Sequence, residues 1–73
     1  MKEFAKLYKR LCPGGTRIKL ISMEDPYAPI PPGTTGTVTF VDDMGQIHMQ
    51  WDNGRTLAIV PGKDKFIRLE KEV

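Results

Sequence analysis

The sequence changes period at one place, and that break limits the fold more than any other feature. Before Cys12-Pro13-Gly14-Gly15, apolar side chains recur at Phe4, Leu7, Tyr8 and Leu11, the i, i+3, i+4, i+7 spacing of one helix face. After it, apolar and polar residues alternate with period two. Proline cannot continue a helix, and glycine suits its end. The break predicts a short amphipathic helix over residues 1–12 and a β unit over 14–70, forming one domain overall. A chain of 73 residues buries only roughly 60% of the surface that it exposes when unfolded, so it has room for one thin core.

Five segments read as short strands: residues 16–23, 37–41, 46–51, 56–60 and 66–69. The clearest is 46–51, where Ile47, Met49 and Trp51 share one face and Gln46, His48 and Gln50 the other. In 37–41, Val38 and Phe40 are expected on the same face. Asp42-Asp43-Met44-Gly45 reads as a turn. Asp52-Asn53-Gly54-Arg55 contains Asn-Gly, the signal of a type I′ hairpin, whose two central residues both need positive φ. Pro61-Gly62-Lys63-Asp64 reads as one helical turn before the last strand. The expected fold is mainly β, a five-stranded SH3-like small barrel with the helix capping one end. The last residues, 71–73, are expected to fray.

Composition excludes more function than it supports. A single cysteine, Cys12, rules out an intrachain disulfide framework, and a single histidine, His48, rules out a His-rich metal cage. No nucleophile–base pair, metal-ligand spacing or phosphate loop is present, so the expectation is no enzyme, no cofactor and no metal. Asp42 and Asp43 are neighbours entering a turn and are expected to bond nearby backbone amides. Lys6, Lys9 and Arg10 interrupt any leader-like apolar run, and no segment approaches a bilayer span, so no membrane partner is expected. With its lone thiol, the chain is expected to be cytoplasmic. The net charge of +2 permits nucleic acid without arguing for it.

Several strings carry a resemblance. Gly36-Thr37-Val38 followed by Trp51-Asp52-Asn53-Gly54 is similar to small barrel modules of the Mib-Herc type. More closely, ISMEDPYAPIPPGTTGTV, IHMQWDNG and LAIVPGKDKF resemble a bacterial family catalogued as domain of unknown function 4314, over about residues 14–69. The resemblance implies a small bacterial protein, also carried on mobile elements, and brings no activity or site residues with it.

The long connection 23–36 is the best candidate for function. It holds four of the six prolines, which fix φ and stiffen it, together with Tyr27 and Ile30. SH3-type barrels bind extended peptides beside this loop, so a protein or peptide partner is expected there. The candidate binding residues are Tyr27, Ile30, His48, Gln50 and Trp51; by parity Trp51 also reads as core. The alternative is a nucleic-acid-binding barrel using Arg17 and Lys19, which share a strand face. The two readings part on whether cations gather on one face. The oligomeric state is left open.

Overall fold

The computed structural model describes residues 3–69; Met1, Lys2 and residues 70–73, with the expected frayed end, lie outside the described residues. Helix α1 (Glu3–Leu11) precedes four strands, β1 (Arg17–Ser22), β2 (Thr35–Val41), β3 (Ile47–Trp51) and β4 (Lys65–Arg68). The strands form one antiparallel sheet in the order β3-β2-β1-β4. The fold is thus mainly β with one short helix, and the sheet is open.

The fifth expected strand, 56–60, is corrected to a single bridge. Ile47 and Ile59 exchange both backbone hydrogen bonds, and no ladder extends from them. Two features stop it. The carbonyl of Leu57 accepts the Trp51 indole N–H at 2.8 Å, so a side chain takes a group that a strand partner would use. Pro61 then removes a backbone donor.

The core gathers the inward positions of three strands: Ile18 and Leu20, Val38 and Val41, and Ile47, Met49 and Trp51, closed by Cys12, Ile30 and Ile59. Phe40 was expected beside Val38 and lies on the opposite face, 54% exposed. The register shifts between Val38↔Met49 and Phe40↔His48. A β-bulge adds one residue and so reverses the side-chain alternation beyond it.

Helix α1 carries Glu3 in its first turn and Lys9 and Arg10 in its last, matching the helix dipole. Its packing face is rotated from the expected one. Ala5 is fully buried, with Tyr8 and Leu11 against the core, while Phe4 and Leu7 are 43% and 42% exposed. The small Ala5 side chain lets the helix backbone come close. Phe4 covers Gly45, where any β-carbon would collide with the ring. Lys9 Nζ donates to Asp43 Oδ1 at 2.7 Å and ties the helix to the β2–β3 hairpin.

Both hairpins after β2 and β3 use one device. Gly45 N–H donates to Asp42 O and Asp42 N–H to Gln46 O; Gly54 N–H donates to Trp51 O and Trp51 N–H to Arg55 O. Gly45 and Gly54 have φ of 85° and 90°, and no non-glycine residue among those described has positive φ. These are three-residue loops ending in a left-handed glycine. The glycine of Asn-Gly behaves as expected, but the type I′ geometry does not form, because Asn53 stays at negative φ.

Candidate functional site

Residues 23–34 connect β1 to β2 as a loop pinned at several points. Pro31 O accepts the backbone N–H and the hydroxyl of Thr34, and Gly33 N–H donates to Leu20 O. The same Pro-x-Gly-Thr turn opens β1, where Pro13 O accepts both donors of Thr16. Arg55 reaches across from the β3 hairpin, its Nη2 donating to Ala28 O at 2.6 Å and its Nη1 to Pro29 O at 3.1 Å. Asp64, only 8% exposed, accepts Glu24 N–H at 2.9 Å and Val60 N–H at 2.8 Å. Within the loop, Asp25 Oδ1 accepts the N–H of Tyr27 at 2.8 Å.

These clamps divide the loop's two large side chains. Ile30 is fully buried and anchors the loop from below; Tyr27 is 93% exposed. Tyr27 therefore stands on the surface as expected. Ile30 is corrected to a core residue: it follows directly on Ala28 and Pro29, whose carbonyls Arg55 holds, and its side chain packs into the core. Trp51 is 1% exposed and belongs to the core, its one polar atom satisfied by Leu57. Gln50 is exposed on the outer face of β3, and His48 is half-buried there.

His48 forms a separate cluster. Its Nε2 lies 2.8 Å from Asp42 Oδ2, and its ring stacks on Phe40 at 4.2 Å between centroids with 6° between planes. Asp42 Oδ1 accepts the N–H groups of Met44 and Gln46. The His48 hydrogen bond first, and the backbone donors after it, hold the Asp42 carboxyl below its ordinary value. The Lys9 ammonium does the same for Asp43. Asp42 thus acts as a turn brace, as its position in the sequence predicts.

On the outer face, Arg17 grips Asp52 with two hydrogen bonds, Nη1 to Oδ1 at 2.9 Å and Nη2 to Oδ2 at 2.6 Å, and Nη1 also donates to Thr37. Thr35 Oγ1 donates to the same carboxylate. The Arg17 guanidinium pushes the Asp52 pKa far down, and Asp52 raises that of Arg17. Arg17 is thereby committed to the fold, whereas Lys19 is exposed and makes no ion pair among the described residues. Beyond Arg17, a groove of about 580 Å³ runs between the end of α1 and the β1–β4 edge, lined by Arg10, Leu11, Arg17, Ile67, Arg68 and Leu69 among others.

Cys12 is free and buried, and burial pushes its thiol up in pKa. It lies in the core while His48 lies on the outer face, so the two are not brought together. Among the described residues no group of three or more His, Cys, Asp or Glu is placed to hold a metal ion, and no helix is long and apolar enough to cross a membrane.

The sequence reading missed Asp64 and Arg55. Each acts across the chain on a loop 26 to 40 residues away, and no local spacing marks such a contact.

The arrangement is that of a small β module with a helical cap, its polar side chains used to hold loops and turns. The chain belongs to the family described as Domain of unknown function (DUF4314), whose model matches residues 1–69. Neither a search of curated proteins nor one of solved structures returned a match.

Proposed function

We propose that this chain is a non-catalytic binding module that docks a protein or peptide on the face of the 23–36 loop. The observation that carries this reading is the contrast between Tyr27 and its setting. A tyrosine exposed at 93% sits on a loop held by Arg55, Asp64 and Asp25. A held aromatic loses little conformational freedom on binding, and aromatic anchors carry a large share of interface energy. The strand order supports an SH3-like layout, with 56–60 as a reduced fifth strand beside β3 and the 60–64 turn leading to β4. In that layout the loop borders the peptide groove. The free thiol of Cys12 supports a reducing, cytoplasmic setting.

The test is capture from a nuclease-treated lysate of the host with wild-type and Tyr27→Ala baits. A protein retained by the first and lost by the second supports the reading. Identical profiles overturn it.

The alternative reading, a nucleic-acid partner, finds Arg17 engaged by Asp52 and keeps Lys19. Its specific support is the groove, where Arg10 and Arg68 join Arg17.

A further inference from the structure

We propose that the groove between the end of α1 and the β1–β4 edge binds the phosphodiester backbone of single-stranded nucleic acid. This deepens the nucleic-acid reading and is independent of docking at Tyr27.

The charge distribution carries it. The groove walls bring Arg10, Arg17 and Arg68 together, and among the described residues no acidic side chain lines it. Among the described residues, the Arg10 side chain makes no hydrogen bond and no ion pair. Arg68 donates one bond, from Nη1 to Leu11 O at 3.0 Å. That bond aims its guanidinium and leaves most of its five donors available. Arg17 completes the wall with its charge balanced by Asp52.

The cations continue beyond the groove. On the outer face of β1 and β4 the exposed positions are Lys19, Ile21, Lys65 and Ile67, with Lys19 opposite Ile67 in register; Arg68, also exposed, is opposite Ile18 and lies on the other face. Neither strand contains an aspartate or glutamate. Among the described residues the paired acidic groups are Glu3 with Lys6 in α1, Asp42 and Asp43 in the β2–β3 hairpin, and Asp52 against Arg17 at the groove.

Positive charge spread over Arg10 and Arg68 at the groove and Lys19 on the outer face of β1 is more than one carboxylate or one phosphate needs. It suits an evenly charged strand. Arginine presents a planar fork that matches phosphate oxygens. The lining is aliphatic, with Leu11, Ile67 and Leu69 and no aromatic ring, so it offers no base-stacking platform. Recognition at this site reads the backbone and not the bases.

The test uses the full chain and fluorescein-labelled oligo-dT and oligo-dA of 20 nucleotides, followed by anisotropy. Contact with about three phosphates gives a salt slope near −2, so affinity is expected to fall roughly 20-fold between 50 and 200 mM salt. The two oligonucleotides should bind within about threefold of each other, as expected for backbone contacts. Arg10→Gln removes an exposed side chain without partners and should leave thermal unfolding unchanged. It should weaken binding severalfold and make the slope shallower by about 0.7; adding Lys19→Gln should weaken binding further. Tyr27→Ala should bind oligonucleotide like the wild type. No binding at 50 mM salt overturns the nucleic-acid reading together with this site. Binding that Arg10→Gln and Lys19→Gln leave unchanged overturns the site alone. A strong preference for one base, or equal affinity for poly-glutamate, also overturns it.

Discussion

The Trp51 indole lies directly over Gly36. The two residues are register partners across β2 and β3, and a β-carbon built on Gly36 would stand 2.8 Å from the Trp51 ring and 2.9 Å from the Gln50 carbonyl oxygen. This contact explains why Gly-Thr-Val and Trp-Asp-Asn-Gly occur together in the sequence. The glycine makes room for the ring, the ring fills the core, and its N–H holds Leu57. Asp52, one residue on, receives Thr35 from β2 and Arg17 from β1 beyond it. The most distinctive strings in the chain therefore build the scaffold.

Gly36→Ala is expected to destabilise the domain by about 1–3 kcal/mol, as overpacking a filled core does. The obstructing atoms are backbone and a buried ring, which cannot step aside. Urea unfolding of the purified variant measures this, and an unchanged midpoint would show that Trp51 can shift.

Gly54→Val probes a different cost. Nothing lies within 4 Å of a β-carbon at Gly54, so space is available, but φ is 90°. The substitution is expected to cost about 1 kcal/mol or more through backbone strain alone. Gly54→Asn should cost less, because asparagine tolerates this region. Comparing the thermal midpoints of the two variants checks the hairpin geometry.

Acid should weaken the fold through Asp52. Its folded pKa lies far below the ordinary 3.8, because Arg17 and then Thr35 donate to its carboxylate. A depressed folded pKa gives stability that is complete above the unfolded value, about 4, and lost as pH falls below it. Asp42 and Asp43 act in the same direction. Asp52→Asn should therefore flatten the fall in thermal midpoint below pH about 4. A wild-type midpoint that stays constant down to pH 2 would contradict the clamp.

Tyr27→Ala should change stability by no more than about 0.5 kcal/mol, as at other exposed positions. Ile30→Ala, three positions on in the same loop, should cost about 2–5 kcal/mol because Ile30 is fully buried. Chemical denaturation of the pair reads both values, and similar losses for the two would mean that Tyr27 is part of the core.

Cys12 reports opening of the core. Its thiol is buried, and burial raises its pKa, which lowers the fraction of reactive thiolate at neutral pH. Reaction with a thiol reagent should be slow in the native protein and should accelerate in Gly36→Ala as global opening becomes more frequent. A rate equal to that of free cysteine would place the thiol on the surface.

The legible parts of this fold are those with an uninterrupted period. Helix α1 and β3 follow their spacing along their whole length, and the prolines and glycines bracket them. Phe40 was misplaced because a bulge adds a residue without any mark in the sequence, and everything past it changes face. The packing face of α1 was misread because Ala5, the smallest candidate, sits deepest. The strand expected over 56–60 was lost to Trp51, whose side chain competes for a backbone carbonyl. In the loop, composition pointed to Tyr27 and Ile30 together. Only the positions of Arg55 and Asp64 separate the residue that faces out from the one that faces in.

The clamps on the 23–36 loop grip main-chain atoms: the N–H of Glu24 and the carbonyls of Ala28 and Pro29. The side chains of residues 26–28 take no part in holding them. A scaffold that grasps its display segment by the backbone leaves the displayed letters free to change. Substitution at the tip is therefore expected to leave the grip, and with it the fold, intact.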